Sequence, residues 1–307
     1  MAVSVKADGL CKSFGDVTAV DDVCFQVKRG EFFGFLGPNG AGKTTTIRML
    51  TGLITPDSGK AIIEGIDSRK DPLHAKMNMG VIPEFGNIYV DLTAEENLFL
   101  AGKFYGMSKV EREKRTSEIL EILQLKGREK DKVRTFSKGM KQRVNIGCAI
   151  IHEPPVLFLD EPTSGLDVQS RRLVVRIVKE LKEKGSTIFL TTHNIQEANE
   201  LCERVGIIHK GKLVAIDRPE RLRNTFDKTQ SVEVSLEGDF DGLDMCNEHV
   251  NKVLTSGDKM VVYTDDPDAT VKEMVTYARD KDLKIISLRT CGPSLEEAFV
   301  RLTGGSK

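Results

Sequence analysis

Apolar runs and amphipathic stretches alternate along the first two thirds of the chain. Buried strands are predicted where short apolar runs are bounded by polar or glycine-containing segments, at 31–36, 156–159 and 186–191. Helices are predicted where apolar positions recur every three or four residues or a cap opens the segment, at 44–50, 93–125, 138–150 and 170–184. Strands that alternate with helices in this way are typical of an α/β domain with a mainly parallel sheet.

Two helix starts within 93–125 carry the same reciprocal cap. Thr93 is followed three residues later by Glu96, and Ser108 by Glu111. In such a pair the hydroxyl accepts a hydrogen bond from one unpaired backbone N–H, and the carboxylate accepts one from the other. The segment therefore contains two successive helices.

The pattern changes after about residue 219. Val232, Val234 and Leu236 alternate with polar residues, which predicts a strand. Further elements are predicted as a strand at 260–263, a helix at 271–278, a strand at 283–288 and a helix at 295–302. We therefore expect a main domain at 3–220 and a small ββαβα accessory domain, of α+β class, at 221–307.

Composition and charge exclude several classes of protein. The chain has 307 residues with 39% hydrophobic and 30% charged residues, which is typical of a globular protein rather than a disordered one. Its net charge of -1 lacks the basic footprint of direct nucleic-acid binding. No run approaches the roughly 20 apolar residues of a membrane-spanning helix. Lys6 and Asp8 interrupt the start where a signal peptide would be apolar, so we expect a cytosolic chain.

A glycine-rich segment between the strand at 31–36 and the following helix matches the pattern G-x-x-x-x-G-K-[ST] of a phosphate loop. Small residues let backbone N–H groups face a phosphate, and the helix adds its positive N-terminal dipole. Lys43 would bridge the β- and γ-phosphates of a nucleotide, and the Thr44 hydroxyl would bind Mg²⁺. The alternative is a structural turn with an incidental lysine. The predicted nucleotide-binding residues here are Gly37, Pro38, Asn39, Gly40, Ala41, Gly42, Lys43, Thr44 and Thr45.

Two carboxylates follow the apolar strand at 156–159. Asp160 and Glu161 would stand at the carboxyl end of that strand, where parallel sheets bind ligands. Asp160 would hold Mg²⁺, and Glu161 would orient or deprotonate the attacking water. Acidic residues also end many strands without a function. The phosphate loop nearby favours the catalytic interpretation.

Further segments give residues 3–220 a resemblance to ABC-type ATPases, the nucleotide-binding subunits of transporters. Phe136-Ser-Lys-Gly-Met140 resembles the signature of that family, whose usual form is Leu-Ser-Gly-Gly-Gln. The resemblance implies that Ser137 and Gly139 contact the γ-phosphate bound by the opposite subunit of a dimer. Ser137 could instead be only a helix cap. Ser164-Gly-Leu-Asp167 resembles the D-loop, which in this family contacts the opposing subunit; the alternative is a turn before a helix.

Two other positions take their roles from the same resemblance. His193, which follows the strand at 186–191, resembles the switch histidine that touches the γ-phosphate and helps hold the water. Phe14 stands where the family has an aromatic residue that stacks on adenine, usually tyrosine. A core phenylalanine is the alternative for Phe14, and a structural histidine for His193.

One position departs from the family pattern. After Val81-Ile-Pro83 the family has a glutamine that binds Mg²⁺ and senses the transporter partner, but this chain has Glu84. A carboxylate can also bind Mg²⁺. It adds negative charge beside the phosphates, so metal affinity and coupling need not follow the family here.

The resemblance implies the fold of the P-loop ABC cassette, with an inserted helical subdomain at about 90–150 that docks on a membrane partner. It implies ATP hydrolysis with Mg²⁺ in a homodimer, or a heterodimer with a close relative, bound to a separate multi-spanning permease. The chain would thus sit in the cytoplasm, on the inner face of the cell membrane. The signature form and the C-terminal unit resemble the drug- and polysaccharide-export branch, the ABC-2 type.

Two alternatives remain open. A soluble ABC protein acting on ribosomes or nucleic acid usually has two cassettes or a long coiled-coil insertion, and neither occurs between Lys43 and Asp160. A nonhydrolysing, nucleotide-gated module is suggested by Glu84 and the altered signature.

Overall fold

The computed structural model of the protein describes residues 2–84, 86–226, 230–237, 249–256 and 259–291, together with Leu295, Phe299 and Leu302. The chain divides into two compact units, Met1–Asp217 and Arg218–Lys307. Within the described residues, every helix is too short or too polar to cross a bilayer.

The first unit consists of strands and helices in close alternation. Its strands are β1 (Val3–Phe14), β2 (Val17–Lys28), β3 (Phe32–Leu36), β4 (Ser58–Ile63), β5 (Ile66–Asp67), β6 (Met79–Ile82), β7 (Val156–Asp160), β8 (Thr187–Thr192), β9 (Arg204–His209) and β10 (Lys212–Asp217). Its helices are α1 (Lys43–Leu50), α2 (Pro72–Met77), α3 (Ala94–Phe104), α4 (Lys109–Ile122), α5 (Lys138–Ile150), α6 (Val168–Glu183) and α7 (Ile195–Leu201), with a short 3-10 helix at Val133–Thr135.

A mainly parallel sheet forms the centre of this unit. Among the described residues its strand order is β10-β9-β3-β8-β7-β6, and only β10 runs antiparallel to its neighbour. Strands β3, β7 and β8 are buried along their whole length, as expected for a parallel sheet with both faces covered. Phe33, Phe35 and Phe158 each pack against Phe189 with ring centroids 5.5 to 5.6 Å apart. The predicted α/β fold is confirmed.

A second sheet of the same unit was not predicted. Its strands follow the order β2-β1-β4-β5, and each pair is antiparallel. Val5, Leu10, Val23 and Val27 are completely buried on one face. Phe25 of β2 stacks on Phe33 with centroids 5.6 Å apart, so this sheet shares the core of the parallel sheet.

Helices α3, α4 and α5 follow β6 as one helical segment. The caps predicted at Thr93 and Ser108 are confirmed, because each hydroxyl accepts from the backbone three residues on and each glutamate accepts from the cap residue. Between the two helices the chain turns at 105–108, so the segment 93–125 contains two helices as predicted.

The second unit contains α8 (Pro219–Phe226), β11 (Gln230–Glu237), β12 (Val250–Ser256), β13 (Lys259–Thr264), α9 (Pro267–Asp280) and β14 (Lys284–Cys291). Its described strands form an antiparallel sheet in the order β12-β13-β11-β14. Met274 and Ala278 of α9 pack on the apolar residues of β11 and β13.

The expected ββαβα order for this unit is wrong. Strand β12 was missed, and it pairs with β13 before α9 begins. The strands predicted around Val234, at 260–263 and at 283–288, and the helix at 271–278, are confirmed. The helix predicted at 295–302 lies largely outside the described residues.

Candidate functional site

The predicted phosphate loop lies between the buried strand β3 and helix α1. Gly42 caps α1 with a φ of 106°, and a Cβ there would lie 2.5 Å from the carbonyl oxygen of Ala19. Gly37 is equally confined, because its Cβ would lie 2.5 Å from the carbonyl oxygen of Ile208. Both positions therefore require glycine, and the loop turns tightly into the N terminus of α1, where an anion is favoured.

Lys43 is the first residue of α1 and is only 6% exposed. Its Nζ donates to the carbonyl oxygens of Gly37 at 2.7 Å and Pro38 at 3.2 Å, and lies 3.5 Å from Oε1 of Glu161. That carboxylate oxygen accepts no hydrogen bond from the described residues. The buried ammonium group is therefore surrounded by three oxygen atoms, and a phosphate oxygen could replace either carbonyl as a stronger acceptor.

Asp160 is the last residue of β7 and is 3% exposed. Its Oδ1 accepts a hydrogen bond from the Thr191 hydroxyl of the neighbouring strand β8. The hydroxyl of Thr44 lies 3.4 Å from the same oxygen. The end of the parallel sheet thus brings Asp160 beside the second residue of α1, as the sequence predicts for a strand that ends next to a phosphate loop.

The oxygen atoms of Thr44 and Asp160 suit Mg²⁺, which prefers hard ligands. The described residues contain no group of three or more His, Cys, Asp and Glu side chains that could hold a metal ion alone. Mg²⁺ in nucleotide sites needs no such group, because it takes one or two protein oxygens together with phosphates and water. Glu84, the third predicted ligand, is exposed just after β6 and lines the same cavity.

Glu161 and His193 form the second half of the site. Glu161 has a φ of 50°, which is uncommon for a residue other than glycine, and its N–H donates to the carbonyl oxygen of Thr191 at 3.1 Å. Nδ1 of His193 lies 2.9 Å from Oε2 of Glu161. An ionised carboxylate can only accept, so Nδ1 carries the proton in this pair. The imidazole is 53% exposed, whereas the carboxylate is nearly buried.

Lys43, Thr44, Glu84, Glu161 and His193 line one cavity of about 340 Å³, whereas the buried Asp160 does not line it. Its lining residues are Ala19, Pro38, Asn39, Gly40, Gly42, Lys43, Thr44, Thr45, Glu84, Glu161, Ser164 and His193. Gly37 and Ala41 of the predicted loop lie behind this lining. Ala41 is 2% exposed, and its carbonyl oxygen accepts from the N–H of Gly211 at 3.0 Å. The cavity therefore joins the phosphate loop to the carboxylate, histidine and D-loop serine that the sequence singles out.

Ser137 and Gly139 do not line this cavity. Ser137 is exposed and caps α5, with its Oγ accepting from the N–H of Met140 at 3.3 Å. Gly139 is buried, and a Cβ there would overlap the hydroxyl of Ser170 and lie 2.5 Å from its Cβ. Within one chain, the serine therefore acts as a cap and the glycine as a close packing contact.

Phe14 lies at the end of β1 and is 52% exposed. The core alternative for this residue is therefore wrong. Nζ of Lys12 lies 5.6 Å from the centroid of the ring, within cation–π range. The ring does not line the described cavity.

Three interacting side chains near the site, the buried Glu197 and Thr192 and the half-buried Thr163, were missed by the sequence reasoning. Glu197, which is 2% exposed, accepts hydrogen bonds from the hydroxyls of Thr163 at 2.7 Å and Thr192 at 2.8 Å. The spacing of Asn194 and Glu197 was an available signal, because it is the spacing of a helix cap and its third residue. Asn194 does cap α7 and accepts from the N–H of Glu197 at 3.1 Å.

The sequence and the fold of this chain are similar to those of known proteins. Residues 20–164 match the family model for ABC transporters. The linearmycin resistance ATP-binding protein LnrL of Bacillus subtilis (strain 168) is 38% identical over 305 residues, which cover 98% of each chain. The Nod factor export ATP-binding protein I of Bradyrhizobium diazoefficiens is 37% identical over 300 residues, covering 96% of this chain and 95% of that protein.

A similar solved structure is that of a dimeric ATP-binding cassette in a post-hydrolysis state, bound to ADP and Pi. It is 30% identical in sequence and superposes with a TM-score of 0.64, covering 70% of this chain and 98% of that one.

Proposed function

This chain belongs to the ABC transporter family as an ATP-hydrolysing subunit, and we propose that it powers export through a separate membrane permease by closing as a dimer around ATP. The observation that supports this most is the meeting of Lys43, Glu161 and His193 at one cavity. Lys43 lies 3.5 Å from Glu161, and Glu161 lies 2.9 Å from His193.

ATP binding would use the phosphate loop and the start of α1. Positive charge from Lys43 and from the N terminus of α1 would face the triphosphate. Lys43 Nζ already lies among acceptors inside the loop, so binding replaces carbonyl contacts with charged phosphate contacts. Phe14 would stack on adenine, for which its exposed ring is available.

Thr44 and Asp160 would hold Mg²⁺ together with phosphate oxygens. The ion, when bound, would neutralise charge on the transferred phosphoryl group. Glu84 would add a carboxylate on the same cavity, where the family has a neutral amide. Because that carboxylate adds negative charge near the phosphates, we expect the Mg²⁺ requirement of this chain to be sensitive to Glu84→Gln.

Glu161 and His193 would act on the water that attacks the γ-phosphate. Glu161 would orient that water or accept its proton, since its carboxylate lines the cavity beside Lys43. His193 donates to Glu161 and so fixes the direction of the carboxylate. Catalysis of this kind consists mainly of positioning and charge stabilisation.

Ser137 and Gly139 would complete the site of a second copy. Neither residue lines the cavity of its own chain, which agrees with that assignment, since the N terminus of α5 can then face the γ-phosphate held by the partner. Binding of two ATP molecules would close the dimer, which is a homodimer or a pair with a close relative, and hydrolysis would open it.

Export is proposed from the names of the similar proteins, one of which is a Nod factor export ATP-binding protein. The helical segment from α3 to α5 would dock on the permease and pass on the nucleotide state. The chain would then lie at the inner face of the cell membrane, and the part at 221–307 would be an accessory domain. The sequence signature of the drug- and polysaccharide-export branch agrees with this direction.

Steady-state ATP hydrolysis tests the enzymatic part. Glu161→Gln should lower kcat by roughly 100-fold or more, because it removes a catalytic base, while ATP affinity changes only a few-fold. Glu203→Gln is the matched control, since Glu203 is exposed and pairs with Lys182 at 2.6 Å away from the cavity. A wild-type chain that binds ATP without hydrolysing it would instead support the nucleotide-gated module.

Purification of the tagged chain from its own membranes tests the transport part. We expect a multi-spanning protein to be retained with it. Retention of ribosomes or nucleic acid instead of a membrane protein would support the soluble alternative.

A further inference from the structure

Glu197 is a buried carboxylate close to the site, with no direct contact to the cavity. It lies in α7 and is 2% exposed. Among the described residues no Lys, Arg or His lies within ion-pair distance of it. Moving a carboxylate out of water is strongly unfavourable unless hydrogen bonds compensate it. The compensation here comes from two hydroxyl groups that lie 29 residues apart in the sequence.

The two hydroxyl groups come from segments that end or follow neighbouring strands. Thr163 lies in the loop after β7, and Thr192 is the last residue of β8, directly before the loop that carries His193. Thr163 Oγ1 donates to Oε1 of Glu197 at 2.7 Å, and Thr192 Oγ1 donates to Oε2 at 2.8 Å. Thr192 Oγ1 also accepts from the N–H of Asn194 at 3.0 Å, so its only proton is directed to the carboxylate. Each oxygen of Glu197 therefore contacts one of the two segments.

These two segments carry side chains that would act in ATP hydrolysis. Thr163 lies two residues after Glu161 and one residue before Ser164, which lines the cavity. Thr192 immediately precedes His193. Among the described residues, the only other side-chain hydrogen bond between these two segments is that of His193 with Glu161, at 2.9 Å. Glu197 thus provides a second connection between the two segments, and its carboxylate is more buried than the imidazole of the His193–Glu161 pair.

We propose that Glu197 is a positioning residue that fixes the Glu161 loop to the His193 loop through Thr163 and Thr192, so that the water-activating group and the switch histidine move as one body. The role rests on the proposed ATPase function. The connection couples the two segments of the site. A displacement of residues 163–167, for example by a second subunit, would therefore also displace His193. A cap of α7 alone would not require it, because Asn194 supplies that cap.

Hydrogen exchange followed by mass spectrometry tests this connection without relying on activity. The wild-type chain is compared with Thr163→Val, Glu197→Gln and the control Glu200→Gln, which lies in the same helix, is exposed and pairs with Lys179 at 2.8 Å. We expect Thr163→Val to raise exchange not only at 163–167 but also at 192–195, where no residue is changed. Glu197→Gln should raise exchange at both segments, and Glu200→Gln at neither.

Steady-state kinetics of the same variants supply the functional half. Glu197→Gln should lower kcat by roughly ten- to hundredfold with the KM for ATP nearly unchanged, because it misplaces catalytic groups without touching the phosphate loop. The proposal is overturned if Thr163→Val changes exchange only in its own loop, or if Glu197→Gln keeps the wild-type kcat. Should the wild-type chain hydrolyse no ATP, the proposed function fails, and the exchange experiment still decides whether the two loops are linked. If Glu197→Gln does not fold, hydrogen exchange and kcat of Thr163→Val together test the proposal: exchange raised at 192–195 with a lowered kcat supports it, and wild-type values of both overturn it.

Discussion

His152 should make the stability of the protein depend on pH, although it is remote from the nucleotide cavity. Its ring follows α5 and stacks on Tyr105, with centroids 3.4 Å apart and an interplanar angle of 8°. Nε2 lies 3.2 Å from the carbonyl oxygen of Met79, and Nδ1 is buried without a hydrogen-bond partner in the described structure. A second proton would therefore sit on a nitrogen that has no acceptor.

Burial lowers the pKa of His152 from 6.5 to about 4. An unfolded chain takes up a proton as the pH falls through 6.5, whereas the folded chain does so only near 4. Between these values the unfolded state binds more protons, so the contribution of His152 to stability is complete above about pH 6.5 and declines as the pH falls towards 4. The linkage relation gives a loss of about 2 kcal/mol at pH 5 and of about 3 kcal/mol at pH 4, with a limit of about 3–4 kcal/mol at lower pH.

Urea unfolding followed by circular dichroism measures this effect. The wild type is compared with His152→Gln, whose amide can still donate to the Met79 carbonyl oxygen but does not titrate. At neutral pH the variant should be less stable than the wild type, because it loses the ring stacking with Tyr105. On acidification to about pH 5 the wild type should lose about 2 kcal/mol more than the variant does. An equal loss in both proteins would refute the argument.

Three further substitutions follow from backbone and packing geometry. Gly42→Ala should lower the free energy of unfolding by about 2 kcal/mol or more, because the φ of 106° and the nearby carbonyl oxygen of Ala19 leave no room for a Cβ. The same change should weaken the binding of a fluorescent ATP analogue, and an unchanged affinity would contradict this. Gly139→Ala should cost about 1–3 kcal/mol in urea unfolding, and the added Ser170→Gly should recover most of that loss. Thr93→Ala should lower the free energy of unfolding by about 1 kcal/mol. It should raise the rate of hydrogen exchange in the first turn of α3 and leave the rate in α5 unchanged.

Much of the fold and half of the site were predictable because their determinants are local. The phosphate loop requires glycine at Gly37 and Gly42, and a run of apolar residues before Asp160 is enough to indicate a buried strand. The helix caps at Thr93 and Ser108 are set by residues three positions apart. Each of these features is complete within a few residues of sequence.

Other features depend on contacts between distant parts of the chain. Strand β12 contains Asn251, Lys252 and Thr255, which weaken the alternation that indicates a strand, and it is fixed by pairing with β13. The link from Thr163 to Thr192 through Glu197 exists only because β7 and β8 are neighbours in the sheet. Sequence spacing does not report which strands lie side by side.

The central claim is that ATP holds two copies of this chain together with the phosphate loop of one facing Ser137 of the other. Light scattering of Glu161→Gln with ATP and Mg²⁺ tests it most directly, since slow hydrolysis preserves the closed state. The account predicts a particle of twice the 34.0 kDa chain mass with ATP, and a monomer with ADP or when Ser137→Arg is added. A Glu161→Gln chain that binds ATP and remains a monomer at every concentration would contradict the account.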